Sequence, residues 1–150
     1  MEQRNRQLKV NADLGRLDEV LSFLETNLEE AGCPLKLITQ ICISVEEIFV
    51  NIANYAYPQK GGECVLDFSL SQPEKHRKEL KLNITDSGAQ FNPLEKEDPD
   101  ITLSAEDRQI GGLGIWMVKQ SMDRVEYQYT DLKNQLTLIK TWDEESEEEL

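Results

Sequence analysis

Along residues 14–31 the apolar side chains fall at Leu14, Leu17, Val20, Leu21, Leu24 and Leu28, the spacing of a single helix face. Gly32 and Pro34 follow and end that pattern. A second stripe, Ile38, Ile41, Val45, Ile48 and Ile52, predicts a longer helix over about residues 35–57, stopped by Pro58 and the Gly61–Gly62 pair. Residues 8–12 alternate and predict an opening strand, as do residues 64–70 and 80–84. The polar stretch around Pro73 and His76 joins the last two as a hairpin. Residues 90–110, with Pro93, Pro99 and many acids, carry neither period, and so long an irregular segment marks a functional lid or disorder. A short helix over about residues 113–122 and strands at 125–130 and 136–142, turning at 131–134, complete the chain.

The order β-α-α-β-β-lid-α-β-β joins most strands as hairpins. It predicts an α/β (α+β) two-layer sandwich, a mostly antiparallel sheet with helices on one face. A doubly wound Rossmann arrangement is excluded, because the βαβ alternation it needs is absent.

A chain of 150 residues is expected to be one domain with a real core. Its last eight residues, DEESEEEL, hold six acids and read as a solvating, disordered tail, which places the folded domain at residues 1–142 and the tail at 143–150. Removing those six acids from the net charge of −13 leaves −7, so the body is acidic too, and a nucleic-acid partner is not expected. No apolar run is long enough to span a membrane, and the N-terminal MEQRNRQLKV has no apolar stretch behind its charges, so the expected location is cytoplasmic. Cys33, Cys42 and Cys64 are odd in number and form no C-x-x-C pair, which argues against a disulfide framework and against zinc. With His76 as the only histidine, in a polar stretch, a Ser-His-Asp triad is hard to build.

Three short patterns carry chemistry. Ser44, Glu47, Asn51 and Asn54 share the polar side of the second helix, opposite the isoleucine stripe. There a carboxylate can deprotonate a hydroxyl, and an amide oxygen can ligate Mg²⁺, a hard cation that accompanies phosphates. The run ITDSGA ends a strand at Asp86 and places Gly88 two residues on; a carboxylate there can accept from an exocyclic amine, and the glycine lets a flat ring approach the backbone. Gly111, Gly112 and Gly114 lead into the third helix, where free N–H groups favour an anion. The last pattern is neither a Walker loop nor a Rossmann fingerprint. Each also has a plain structural reading: a solvated helix face, an Asx turn, a hinge before a capped helix.

Taken in order, the three resemble the N, G1 and G2 boxes of the GHKL ATPases, the Bergerat-fold superfamily of gyrase, the heat-shock chaperone, histidine kinases and the mismatch-repair ATPase. The stretches EEIFVNIANYAYP, DSGAQFNP and GGLGIWMVKQSMDRVEY narrow the resemblance to the RsbW-type anti-sigma-factor serine kinases, from the first strand to Trp142. The resemblance implies a Bergerat ATP-binding fold and ATP and Mg²⁺ as cofactors. It implies that Glu47 is the general base, that Asn51 holds Mg²⁺ with help from Asn54, and that Asp86 binds the adenine amino group with Gly88 beside the ring. Gly111, Gly112 and Gly114 would hinge the lid and bring amides to the phosphates, and Arg108 would neutralise charge on the γ-phosphoryl group.

The implied function is a protein-serine kinase that acts as an anti-sigma factor in a partner-switching circuit. Its implied partners are a sigma factor and an antagonist protein, and its implied state is a homodimer. There are departures. Gln90 replaces a second glycine common in the first Gly box, and Tyr55 stands where relatives often carry His or Lys. Both bear on catalytic rate more than on nucleotide binding, and they point to the alternative of a nucleotide-gated binding regulator without catalysis, against which the retention of both Glu47 and Asn51 counts.

Overall fold

In the computed structural model, residues 4–57, 61–95 and 113–144 are described. The first strand, β1 (Arg4–Asn11), leads through a 3-10 turn (Leu14–Arg16) into α1 (Leu17–Glu30) and then α2 (Leu35–Asn51). A single π-helical turn, Ile52–Ala56, extends α2. Next come β2 (Glu63–Glu74), β3 (Arg77–Asp86), a 3-10 turn (Pro93–Glu95), α3 (Leu113–Ser121), β4 (Arg124–Thr130) and β5 (Lys133–Asp143). The element order and the antiparallel sandwich are those the hydrophobic pattern predicts. The strands run longer than predicted, because their ends are polar yet still paired across the sheet.

The five strands form one antiparallel sheet in the order β1-β2-β3-β5-β4. Period-2 alternation sends Leu66 and Phe68 of β2, Leu82 and Ile84 of β3, and Leu136 and Leu138 of β5 to one buried face. That face receives Val20, Leu24 and Leu28 of α1, Ile41, Val45, Ile48 and Phe49 of α2, and Ile115 and Val118 of α3. Phe23 of α1 meets Phe68 edge to face, with ring centroids 6.5 Å apart. The opposite face is polar; there Thr137 Oγ1 donates to Asn83 Oδ1 at 2.6 Å.

The turns follow local chemistry. α1 ends in a Schellman motif: Gly32, at φ +77°, donates to Glu29 O, and Cys33 N donates to Leu28 O. His76 has φ +67° in the tight turn between β2 and β3, the hairpin end predicted for it. Asp131 and Leu132 both have positive φ in the turn between β4 and β5, as a two-residue hairpin loop requires. Two lysines tie helices to the sheet at its far end. Lys78 Nζ donates to Ala31 O at the C-terminus of α1 (2.6 Å), and Lys140 Nζ donates to Ser121 O at the C-terminus of α3 (2.8 Å).

Asp143 closes β5, and Glu144 pairs with Lys78 at 3.1 Å while its N–H donates to His76 O. Cross-strand pairing and that ion pair hold these two acids, so only residues 145–150 of the acidic tail are left, and these lie outside the described residues. Among the described residues, no helix is long and apolar enough to cross a membrane.

A Cβ on residue 32 would meet nothing closer than Lys78 Nζ at 3.9 Å, so the cost of replacing Gly32 is conformational. Gly32→Ala is expected to lower unfolding stability by about 1 kcal/mol, read as a shifted midpoint at unchanged slope in urea titration.

Candidate functional site

A cavity of about 430 Å³ opens between the end of α2 and the ends of β3, β4 and β5. Ile48, Ile52, Ile84, Ile115 and Leu136 form its apolar wall, and Asn51, Asp86, Tyr127 and Asn134 bring polar groups to it. An apolar pocket with a few convergent polar groups is the usual form of a small-ligand site.

Asp86 is the last residue of β3 and is buried. A buried carboxylate needs donors, and its Oδ1 accepts from Gly88 N at 2.9 Å and from Asn134 Nδ2 at 3.0 Å. The first bond is the Asx turn that the DSG run predicts. The second comes from the strand neighbour, since Asp86 and Asn134 are register partners across β3 and β5.

Gly88 is needed for a close approach of backbone to backbone. A Cβ on it would overlap the carbonyl oxygen of Ala56, at the end of the π turn, and Ala89 N donates to that same oxygen at 3.0 Å. The close backbone contact is therefore between two walls of the site. Tyr57, just past the π turn, reinforces it: its hydroxyl donates to Glu63 O at 2.8 Å and accepts from Ser87 N at 2.7 Å. Gly62 leaves room for the Tyr57 ring. Burial, above all, raises the Tyr57 phenol from its ordinary value, which keeps it protonated and able to donate.

On α2, Glu47 and Asn51 sit one turn apart as predicted, and Asn51 Nδ2 donates to Glu47 Oε1 at 3.1 Å. A carboxylate accepts, so the amide must present its nitrogen, and among the described residues Asn51 Oδ1 has no partner at the cavity that Asn51 lines. Gly114, in the first turn of α3, lies against Glu47, and a Cβ there would overlap the carboxylate.

The polar face of α2 needs two corrections. Ser44 is buried, with Ile41, Val45 and Ile48 around its part of the helix, because α2 is covered over a wider arc than one stripe. Asn54 is exposed and does not line the cavity. The predicted spacing assumed α geometry through residue 57. The wider π turn instead carries Tyr55 and Ala56 to the wall. Tyr55 and Gln90, the two departures, both line the cavity. Arg108, Gly111 and Gly112 lie outside the described residues.

Asn134, Tyr127 and Tyr57 are the site residues that sequence reasoning missed. Tyr127 belongs to a strand whose pattern was legible, whereas the pattern places Asn134 in the turn before the last strand and it in fact pairs within β5; the partners of both lie across the sheet. Tyr57 sits in the NYAYP run, between the predicted end of the second helix and Pro58, where nothing in the local pattern marks its cross-chain bonds.

Burial disfavours the thiolate form of the cysteines. All three are free thiols, and burial pushes Cys64 up to about 12 and Cys33 and Cys42 up to about 11. Among the described residues, no group of three or more His, Cys, Asp or Glu could hold a metal ion.

The family model described as "Histidine kinase-like ATPase domain" matches residues 10–140. The serine/threonine-protein kinase BtrW of Bordetella bronchiseptica is 31% identical over 98 residues, which are 65% of this chain and 66% of that protein. The chain thus spans just under two thirds of that relative. The serine-protein kinase RsbW of Listeria monocytogenes is 26% identical over 123 residues, 79% of this chain and 72% of that protein. The crystal structure of the RsbU and RsbW domains of a Mycobacterium tuberculosis protein superposes with a TM-score of 0.60 at 12% identity, covering 94% of this chain and 34% of that one. At that identity the match concerns the fold.

The two glycines are expected to differ on replacement. Gly88→Ala forces a backbone carbonyl away and should destabilise the protein by about 1–3 kcal/mol. Gly114→Ala displaces only the end of a flexible side chain and should leave stability within about 0.5–1 kcal/mol of the parent. Thermal unfolding of the two variants side by side checks this.

Proposed function

We propose that this chain, which belongs to the histidine kinase-like ATPase domain family, is an ATP- and Mg²⁺-dependent protein-serine kinase that acts as an anti-sigma factor in a partner-switching circuit. The observation that carries the reading is the convergence of Asp86 and Asn51 on one apolar cavity, with Glu47 bonded to Asn51. The relatives named as serine and serine/threonine kinases support the reaction class.

In this reading the adenine ring lies against Ile84, Ile115 and Leu136, and its exocyclic amine donates to Asp86. Water is kept from the ring by the apolar wall. Toward the phosphates stand Asn51 and the first turn of α3, whose leading N–H groups have no partner within the helix. Gly111 and Gly112 would bring further amides, and Arg108 a positive charge.

Asn51 suits Mg²⁺ on this geometry, because its amide nitrogen is spent on Glu47 and its oxygen is left over. Mg²⁺ in phosphate sites takes one or two protein oxygens and completes its shell with water and phosphate. When bound, Mg²⁺ supplies charge neutralisation on the phosphate oxygens. Asn54, exposed within the π turn, is left without a part in this arrangement.

Glu47 accepts the proton of the attacking serine hydroxyl, and the bond from Asn51 holds its carboxylate in place. The serine belongs to an antagonist protein. Once phosphorylated, the antagonist no longer binds, and the kinase is free to hold a sigma factor. A cytoplasmic homodimer is the state in which we expect this to occur.

Two variants test the roles. Asp86→Asn should abolish the rise in melting temperature that ATP and ADP give the parent protein, while GTP gives no rise in either. Glu47→Gln should keep the ATP-dependent rise and lower phosphoryl transfer by about 10²–10⁴-fold, read as ADP release and phosphoserine formation. Unchanged transfer in Glu47→Gln would remove Glu47 from the chemistry.

A further inference from the structure

We propose that Tyr127 and Asn134 are a positioning pair that sets the purine selectivity of the cavity, by holding the Asp86 carboxylate with one oxygen engaged and the other left for the base. The inference rests on the adenine-nucleotide reading above.

Asn134 is buried at the start of β5, and its amide is fully used. An amide oxygen has two lone pairs and its nitrogen two hydrogens. Here Oδ1 accepts from the Tyr127 hydroxyl at 2.5 Å and from Phe91 N at 3.1 Å. Nδ2 donates to Asp86 Oδ1 at 3.0 Å and to Ala89 O at 2.9 Å. A reversed amide would set Oδ1 against a carboxylate and a carbonyl, both acceptors, and Nδ2 against the Phe91 N–H. The orientation is therefore one-way, and the Tyr127 hydroxyl, turned to donate, supplies the second bond that holds the amide oxygen in place. Burial, with the Asp86 charge adding to it, raises the Tyr127 phenol, so it remains a donor through the neutral range.

The consequence falls on Asp86. Its Oδ1 already takes Gly88 N and Asn134 Nδ2, so among the described residues Oδ2 is the oxygen left for a ligand. An exocyclic amine donates to that oxygen. A carbonyl at the same ring position sets lone pair against lone pair. Without the Asn134 donor the carboxylate is released to rotate, and the distinction weakens. Both Tyr127 and Asn134 line the cavity, yet they act through Asp86.

The test compares ADP with IDP, which differ at that ring position, by calorimetric titration of the full chain with Mg²⁺. The parent should prefer ADP. Tyr127→Phe should weaken ADP by about fivefold to tenfold and leave IDP unchanged, so that selectivity falls. Asn134→Asp sets a second carboxylate against Asp86 and gives an independent reading, because the pair must then share a proton. Its ADP affinity should strengthen as pH falls from about 8 to about 6, while that of the parent stays flat. Equal losses for ADP and IDP in Tyr127→Phe, or a flat pH profile in Asn134→Asp, would make the pair a structural brace and overturn the inference, with the nucleotide site intact. A parent that binds neither nucleotide would overturn the adenine reading itself, and this inference with it.

Discussion

A carboxylate buried at the end of a β-strand has to be matched by donors, and the site is arranged around that demand at Asp86. One donor is local, the Gly88 amide of the Asx turn. The other, Asn134, is forty-eight residues away in sequence and directly opposite in register. Asn134 is itself pinned by Tyr127 on the adjoining strand and by Phe91 beyond the turn. The strand order β3-β5-β4 is what allows this, because it sets the three contributing elements side by side. Chain order alone would have put β4 between β3 and β5.

The facing wall comes from the helical layer, and its fit to the sheet is set at both ends. Far from the cavity, Lys78 and Lys140 reach from the sheet to the C-termini of α1 and α3. At the cavity, the π turn after α2 drops Ala56 onto Gly88 and Ala89, and Tyr57 clasps the ends of β2 and β3. Between those ends the apolar side chains of α2 and the sheet pack against each other. This arrangement divides the work physically. The buried carboxylate, Asp86, stands on the sheet, where a cross-strand bond holds it. The second carboxylate, Glu47, to which we assign proton acceptance in the proposed function, stands on α2 against the first turn of α3, where a glycine leaves it room.

The helices, the hairpins and the antiparallel sandwich were legible in the apolar periodicity, because a 3.6-residue or two-residue repeat of buried side chains is itself the cause of those elements. Glu47 beside Asn51, and Asp86 with Gly88, were legible because one helical turn and one Asx turn are local geometry. The ordered trio of motifs pointed to the family, and the fold bears that out. Asn54 was misplaced for an equally local reason: composition did not reveal that the helix widens into a π turn after Asn51. Ser44 looked solvent-facing because a polar residue on a helix gives no sign of how wide an arc its neighbours will cover.

The sequence by itself determined which residues could carry charge, hydrogen bonds and a tight turn, and along which helix or strand they lie. The tertiary structure alone decided that Asn134 and Tyr127 complete Asp86, that Gly88 makes room for Ala56, and that Tyr57 joins three segments. The physical reason is range. Periodicity and turn chemistry act over a few residues, whereas these contacts span from six to forty-eight positions and exist only once strand pairing and helix packing have brought their partners together.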